Sequence, residues 1–465
     1  MCTPSERVEK NKKIISFLKK VNFKNEMCVE DFGNDKFGIS VKGRKIFQGN
    51  YLGSISAFSD VYIFNISQRI GLDIVAKVMP IDIATSGASQ FEIATFNREL
   101  KFTKLFSKMA EKNINPHFVV YFGTGECRND LSIRNNRLKL NANKTKILKN
   151  VANGVRKNMK EWGDALNENL FKDGVADTIL DLMRISLENL EKYENYFSSE
   201  FLMIDHLKIV FIERVSGSIH NLLSNTLLNR DYYQILLFQV ITSIYLMHSK
   251  DTIHMDMHLG NILYCGNGGI TKIMYDEYTN QKSGKKYYLP KIGYSAIIAD
   301  FGLSINSKEN IKDLTNQHKE IIKFRFVDMC NVDKSVIAKL IETDNANFKK
   351  YMILYDYKLF FSGFISEVKF VVNYYNNTLA NYLNKKTSKE YHNFVQLRNE
   401  LTDFLYELSN INDEITKDIC DGLHAKKIGT PKIKETQILE YFTRKFEKNN
   451  ENNISHDKID GKYKF

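Results

Sequence analysis

Strand-like patterns occur in four stretches of the chain. The first begins at Ile46, where apolar residues flank a glycine-containing turn. Two β-branched, mostly apolar runs follow at 72–79 and 207–215, and a fourth at 296–299 ends at Asp300. Runs of this composition predict buried strands, so a charged residue inside one of them needs a partner of opposite charge.

Helical periodicity dominates the rest of the sequence. Residues 90–109 carry an apolar stripe at helical spacing, and residues 232–249 predict a strongly apolar helix. Another stripe lies within 128–200, and residues 364–443 predict helices. Residues 1–20 predict an amphipathic helix and not a signal peptide, because no small-residue cleavage site follows their short apolar patch.

Composition places the chain of 465 residues among soluble globular proteins. Hydrophobic residues make up 43% and charged residues 26%, and no apolar run is long enough to span a bilayer. The six cysteines form no C-x-x-C pair, so we expect reduced thiols in an intracellular compartment, with neither a zinc site nor disulfides. The net charge of +11 predicts a solvated basic surface. A nucleic-acid site is the alternative, and no base-stacking aromatic motif supports it.

The candidate chemistry begins in the stretch from His254 to Asn261. Asp256 and Asn261 lie five positions apart in a short polar loop that leads into the apolar residues 262–264. Phosphoryl transfer to a hydroxyl requires such a pair, because the Asp accepts the hydroxyl proton while the Asn oxygen binds Mg²⁺ without a second negative charge. The alternative is a surface turn that contains two histidines.

Two more charged residues extend this set. Asp300 ends the apolar strand 296–299 as part of Asp-Phe-Gly, where its carboxylate can bridge Mg²⁺ to phosphates. Lys77 lies inside the run 72–79, where burial of its charge requires a partner. The alternative for Lys77 is an edge strand on which the side chain faces water.

These motifs, in this order, resemble those of the protein kinase superfamily. The stretch 254–261 resembles the kinase catalytic loop, with Met255 where most kinases have Arg and His258 where most have Lys. It is most similar to divergent serine/threonine kinases of large DNA viruses. It is also similar to small-molecule phosphotransferases, which often carry His after the catalytic Asp.

The resemblance implies ATP and Mg²⁺ as cofactors and a role for each candidate residue. Lys77 would bind the α- and β-phosphates and pair with a helix glutamate, for which Glu99 is the best match and Glu92 the competitor. Asp256 would be the catalytic base, and Asn261 and Asp300 would bind the metal. The other nucleotide-binding positions are Gly53, in a glycine-rich loop that has lost its other glycines, and Val61, Val75, Glu213, Val215 and Leu263.

The implied fold class is α+β, a kinase-like two-lobed fold with a β-rich N-lobe and a helical C-lobe. An N-terminal extension at 1–44 would precede the N-lobe at 45–215, which contains a helical insertion at 128–200. The C-lobe at 216–446 would contain a hairpin insertion at 265–295. The polar tail at 447–465 is expected to be disordered.

Three functional hypotheses remain open at this stage. The first is a serine/threonine protein kinase, the second a kinase-fold enzyme for a small molecule, and the third a catalytically inactive scaffold. Retention of both metal ligands argues against the scaffold, and the eroded glycine loop argues for it. We expect an intracellular protein, in host cytoplasm or virion if viral, with a protein substrate and no membrane span; oligomeric state is left open.

Two expectations concern support and regulation of the loop. Asp356 is either the buried helix Asp that supports the catalytic loop or a surface acid. Met255 cannot bind a phosphate, so we expect catalysis to need no phosphorylation between Asp300 and Asp356. The alternative is that another cation, such as Lys323 or Arg325, binds a phosphate in its place.

Overall fold

The computed structural model describes residues 4–20, 27–31, 37–41, 44–56, 59–67, 72–82, 88–128, 204–266, 274–382, 388–425, 429–447 and 459–465. It is a mixed α+β fold, with an N-terminal antiparallel sheet and a mostly helical C-terminal part. This arrangement is compatible with the expected two lobes. The helical insertion expected at 128–200 lies outside the described residues, apart from Arg128 at the end of a strand.

Seven strands form the N-terminal sheet. They are β1 (Met27–Asp31), β2 (Phe37–Val41), β3 (Arg44–Ser56), β4 (Ser59–Ser67), β5 (Leu72–Asp82), β6 (Tyr121–Arg128) and β7 (Ile204–Glu213). Their order is β1-β2-β3-β4-β5-β7-β6, and every neighbouring pair is antiparallel. The N-terminal extension is therefore part of this sheet through β1 and β2.

Helices cover both faces of the sheet. Helix α1 (Pro4–Lys20) buries Ile14 and Leu18 against one face, beside Phe64 and Phe211. Helix α2 (Ala88–Glu111) lies on the opposite face, where its Phe96 joins an apolar cluster with strands β5 and β7. Because adjacent strand residues point to opposite faces, two covered faces explain why the strands are almost continuously apolar.

The C-terminal part contains seven α-helices within the described residues. They are α3 (Ile219–Asn225), α4 (Arg230–Ser249), α5 (Asn316–Cys330), α6 (Lys334–Thr343), α7 (Asn345–Asn381), α8 (Lys389–His424) and α9 (Glu435–Glu447). Asn229 caps the N-terminus of helix α4, because its side chain accepts a hydrogen bond from the Tyr232 N–H at 3.2 Å. Most of α4 is buried, as its apolar residues on all sides require.

Short strands connect these helices. Strand β10 (Ile262–Gly266) lies between β8 (Gly217–Ser218) and β13 (Tyr294–Ile298), and β9 (Thr252–Ile253) pairs with β14 (Ile305–Asn306). The hairpin expected at 265–295 is confirmed, because β11 (Tyr275–Thr279) pairs antiparallel with β12 (Lys286–Pro290).

The expected disorder of the tail at 447–465 is wrong for its last residues. Residues Ile459–Lys464 form β15, which pairs in parallel with β11. Tyr463 and Phe465 are buried in the main core, beside Phe238 of α4. The sequence signal was weak because two aromatic residues in a polar segment become a strand only when a sheet edge is available.

The cysteine expectation is also wrong. Cys330 at the end of α5 and Cys420 in α8 form a disulfide, with their Cα atoms 5.1 Å apart. The two residues are 90 positions apart in the sequence, so spacing alone did not indicate the pair. The bond also removes the cysteine argument for a reducing compartment.

No helix in the described ranges is long and apolar enough to cross a membrane.

The burial of the tail generates a stability prediction. Phe465→Ala is expected to lower the free energy of unfolding by about 3–5 kcal/mol, because it removes a buried ring that contacts Phe238 and Tyr287. Urea denaturation measures this change, with Tyr441→Ala as the control because the Tyr441 side chain is 52% exposed. An equal, small effect of both substitutions would contradict the packing of the tail.

Candidate active site

A buried carboxylate on helix α7 fixes the loop at 254–261. Asp356 is fully buried, and its two oxygens accept hydrogen bonds from the backbone N–H groups of His254 and Met255, each at 2.7 Å. Met255 has a φ of 65°, a left-handed conformation that a residue with a side chain adopts only when its surroundings impose it. The expectation that Asp356 supports this loop is confirmed, and the surface alternative is wrong.

Inside the loop, Asp256 and Asn261 contact each other. The Asn261 Nδ2 donates to the Asp256 carbonyl and to its Oδ2, each at 2.9 Å. Both amide hydrogens are thereby used, and the Asn261 Oδ1 remains as the acceptor. The His258 Nε2 lies 3.6 Å from the Asp256 Oδ2, with the His258 side chain about half exposed.

The ladder between β10 and β13 brings Asp300 to this loop. Ile262 lies opposite Ile298, and the Ala299 N–H donates to the Asn261 carbonyl at 3.0 Å. Asn261 and Asp300 therefore flank the same end of one strand pair. Asp300 has a φ of 62°, so the chain turns sharply two residues after the end of β13.

Lys77 joins the sheet to this site. Its Nζ lies 2.7 Å from the Asp300 Oδ1 and 3.6 Å from the Glu99 Oε2. The expected partner Glu99 is confirmed, and the edge-strand alternative for Lys77 is wrong, because β5 lies between β4 and β7.

The three charges shift one another's pKa values. Burial opposes the charged form of Lys77, but the carboxylates of Asp300 and Glu99 outweigh it and raise the Lys77 pKa. Burial raises the pKa of Glu99 to about 7, against the charge of Lys77. Asp300 is also buried, yet the adjacent Lys77 lowers its pKa below the ordinary value. Lys77 and Asp300 therefore form the ionised pair, and Glu99 is the carboxyl nearest to neutrality.

Aromatic packing fixes the residues on either side of Asp300. Phe301 is fully buried, with its ring centroid 5.3 Å from that of Phe106 on α2 and 5.1 Å from that of His254. The His254 Nε2 donates to the Ala299 carbonyl at 3.0 Å. Burial lowers the pKa of His254, so the ring is neutral and its Nδ1 accepts from the Asp256 N–H.

The proposed nucleotide contacts lie on two sides of the site. Val61 is directly opposite Lys77 across β4 and β5, and Val75 lies two residues before it, so all three share a sheet face. Gly53 pairs with Val61 beside a register shift in β3, and residues 57–58 of the adjoining turn lie outside the described residues.

On the other side are the link after β7 and strand β10. Val215 belongs to the link, whose Ser216 N–H donates to the Tyr264 carbonyl at 2.9 Å. Leu263 lies half-buried in β10, opposite Ser218. The link is therefore fixed to the strand that carries Leu263.

The carboxylate of Glu213 does not face this site. Glu213 alternates with Ile212 along β7, and its buried carboxylate contacts the guanidinium of Arg7 and the amide of Asn11 on α1. It also accepts from the Val120 N–H at 2.7 Å. The Glu213 N–H donates to the Val120 carbonyl at 3.0 Å, so only the Glu213 carbonyl is left for the nucleotide role expected of this residue. Sequence analysis missed Arg7, because no local pattern links residues 206 positions apart.

Two more arginines were not singled out as site residues. Arg98, the neighbour of Glu99 on α2, binds both carboxylate oxygens of Glu309 at 2.6 and 3.0 Å, and the Ser304 carbonyl at 3.1 Å. Arg325 on α5 binds the Asp256 Oδ1 at 2.5 Å. The sequence indicated Arg325 and Lys323 only as alternative phosphate-binding cations. Lys323 pairs instead with Glu320, at 2.9 Å.

These contacts also set the charge of Asp256. Burial opposes its ionisation, but the adjacent His258 and the charge of Arg325 outweigh burial and lower the Asp256 pKa below its ordinary value. Asp256 is therefore an anionic hydrogen-bond acceptor across the physiological pH range.

The oxygen donors at this site fit Mg²⁺. Asp300 offers a carboxylate and Asn261 an amide oxygen, and Mg²⁺ takes its other ligands from phosphates and water. Within the described residues no three His, Cys, Asp or Glu side chains gather as a metal site. Asn261 is not one of these four residue types, so this absence is compatible with Mg²⁺ binding by Asp300 and Asn261.

No known protein family matches this chain, and no curated protein is significantly similar to it.

The loop anchor generates a prediction about pH. His248 on α4 lies between Asp356 and Glu435, with nitrogen–oxygen distances of 3.0 and 2.5 Å. Burial lowers the pKa of this His, but the Glu435 charge and the bonds to both carboxylates outweigh burial and raise it to about 9. A raised folded-state pKa gives stability that is complete below the unfolded value of about 6.5 and is lost as pH rises through about 9.

We therefore expect wild-type thermal stability to fall between pH 6.5 and 9 by more than that of His248→Gln. At about 1.36 kcal/mol per pKa unit, the difference is roughly 3 kcal/mol. Melting curves at pH 6, 7, 8 and 9 measure it, with His392→Gln as the control because His392 is exposed on α8. Parallel pH curves for wild type and His248→Gln would contradict the charged network.

Proposed function

We propose that this protein transfers the γ-phosphoryl group of ATP to serine or threonine hydroxyls of proteins, with Mg²⁺ as the metal. One observation carries the proposal: Lys77, Glu99 and Asp300 form one ionic cluster, beside the loop that joins Asp256 to Asn261. These residues come from β5, α2, the segment just after β13 and the loop before β10, so a common surface loop does not account for the arrangement. The resemblance of the motifs to protein kinases supports the same activity.

Each residue has a distinct task in this proposal. Lys77 binds the α- and β-phosphates, and Glu99 keeps the ammonium group in position. Asn261 and Asp300 bind Mg²⁺, which neutralises phosphate charge when present. Val61, Val75 and Leu263 contact the adenine ring, which also binds the backbone between Glu213 and Val215.

Asp256 aims the substrate hydroxyl. The hydroxyl oxygen attacks the γ-phosphorus, the bond from that phosphorus to the β–γ bridging oxygen breaks, and ADP leaves. Asp256 receives the hydroxyl proton. Since its pKa is below the ordinary value, Asp256 acts first as a hydrogen-bond acceptor and takes the proton late, which suits a loose transition state that needs little base strength.

The inactive scaffold is the weaker hypothesis. A scaffold has no need for a strained Met255 or for a buried Asp356 that satisfies two loop amides. The ion pair between Lys77 and Asp300 would likewise be costly to bury without a purpose in phosphate binding. These features support an active enzyme.

The decisive substitution is Asp256→Asn. We expect it to lower phosphate transfer to a generic protein substrate by about 10²–10⁴-fold, because the acceptor that aims the hydroxyl is lost. ATP binding should persist, since the nucleotide contacts lie elsewhere. Radiolabelled ATP measures transfer and calorimetry measures binding, with Asp251→Asn as a matched control because Asp251 binds Lys308 and not the site. Unchanged transfer in Asp256→Asn would refute the proposed function. Transfer by the wild type only to small alcohols or sugars would support a small-molecule phosphotransferase instead.

A second prediction concerns activation. The two-bond ion pair between Arg98 and Glu309 joins α2 to the segment after Asp300 without any phosphate group. Ser304, in the same segment, is buried. We therefore expect phosphatase-treated protein to retain its activity. Glu309→Gln should lower activity roughly tenfold, the effect of about 1.4 kcal/mol on the barrier, because α2 and Glu99 lose this attachment.

The control for Glu309→Gln is Glu320→Gln, which removes the contacts of Glu320 with Lys323 and Lys334. Activity that disappears with phosphatase and returns on rephosphorylation of Ser304, Ser307 or Thr315 would show that a phosphate is required after all.

A further inference from the structure

The loop at 254–261 contains neither Lys nor Arg. Met255 is buried and neutral, and His258 is a half-exposed imidazole 3.6 Å from Asp256. A transferred phosphoryl group carries negative charge that must be neutralised near Asp256. Lys77 is bound to Asp300 and Glu99 on the nucleotide side. A permanently charged side chain on the substrate side therefore has to come from another element.

Arg325 reaches this position from helix α5. Its Nη2 lies 2.5 Å from the Asp256 Oδ1, and the two side chains are only 16% and 23% exposed. The neighbouring Phe326 fixes the helix, because its ring packs against Phe348 and Tyr355 of α7 with centroids 5.0 and 5.1 Å away. Tyr355 precedes Asp356, so the helix that anchors the catalytic loop also positions Arg325.

The second guanidinium nitrogen of Arg325 is not used. Its Nη1 is buried and has no hydrogen-bond partner anywhere in the described part of the chain. A buried charged donor without an acceptor costs about 1–3 kcal/mol or more, so such a group is expected to meet an acceptor when the site is filled. A guanidinium group presents its donors as a planar fork that matches phosphate oxygens.

We propose that Arg325 supplies the substrate-side cation of the phosphoryl-transfer site. The Nη2 orients Asp256, and the Nη1 binds an oxygen of the γ-phosphoryl group as it moves to the substrate hydroxyl. This inference rests on the proposed function and adds a residue that the catalytic-loop motif does not contain. It assigns to α5 the task that a cation of the loop would otherwise perform.

The test compares Arg325→Met, Arg325→Lys and the control Lys323→Met. Lys323 is a cation of the same helix, but it pairs with Glu320 and does not contact Asp256. We expect Arg325→Met to lower kcat by about 10²–10³-fold with the KM for ATP changed less than about threefold, as for loss of a donor used in the transition state. Arg325→Lys should retain part of the activity, because a point charge replaces one of two contacts.

Two further readouts separate a role in chemistry from a role in folding. Added guanidinium ion at millimolar concentration should restore part of the kcat of Arg325→Met. The melting temperature of Arg325→Met should match that of the control Lys323→Met. ADP with aluminium fluoride should stabilise the wild type more than ADP alone, and Arg325→Met should lose this increment. The second readout requires no turnover.

The outcomes distinguish this inference from the proposed function. Transfer that survives Asp256→Asn would overturn the proposed function. If Asp256→Asn is inactive while Arg325→Met keeps a wild-type kcat and its aluminium fluoride increment, the assignment of Arg325 alone fails. A higher kcat in Arg325→Met would also overturn the assignment, because Arg325 would then inhibit the reaction by occupying the Asp256 carboxylate. If Arg325→Lys and Arg325→Met lose kcat equally and guanidinium ion restores neither, Arg325 has a structural role and the phosphoryl contact is refuted.

Discussion

The buried carboxylate of Asp356 is the constraint on which the site depends. A carboxyl group with no exposed surface is stable only if donors surround it, and here the donors are two loop amides and the ring of His248. Satisfying Asp356 imposes the left-handed turn at Met255, and that turn presents Asp256 and Asn261 beside the end of β13. One carboxylate thereby links α7, α4 and the loop at 254–261.

Long-range ion pairs to acidic side chains recur at three places around this centre. Arg7 contacts Glu213 behind the link, Arg98 contacts Glu309 beyond Asp300, and Arg325 contacts Asp256 itself. Each pair joins two elements that are distant in sequence. Arginine suits this task because its planar fork binds carboxylates through several donors and remains charged when buried. The same three contacts attach α1, α2 and α5 to the site.

The cluster of Lys77, Glu99 and Asp300 connects the sheet to the helical part. Its geometry depends on packing as well as on charge, because the Phe301 ring stacks on Phe106 of α2 and lies tilted against His254 of the loop at 254–261. Aromatic contacts thus set the position of α2, and α2 in turn sets the distance between Glu99 and Lys77. The charged cluster is therefore held in place by contacts within the chain itself, before any ligand is considered.

The sequence by itself determined the local features: the strand runs, the apolar helix α4, the hairpin β11–β12, and the order of Lys77, Glu99, Asp256, Asn261 and Asp300. These follow from periodicity and short-range spacing, which chain geometry imposes on neighbouring residues. Only the tertiary structure decided the rest. The tail became a strand because β11 offered an edge, Cys330 met Cys420, and the partners of Glu213, Glu309 and Asp256 came from remote helices. Contacts between distant residues leave no periodic signal in one sequence, because packing of whole elements creates them.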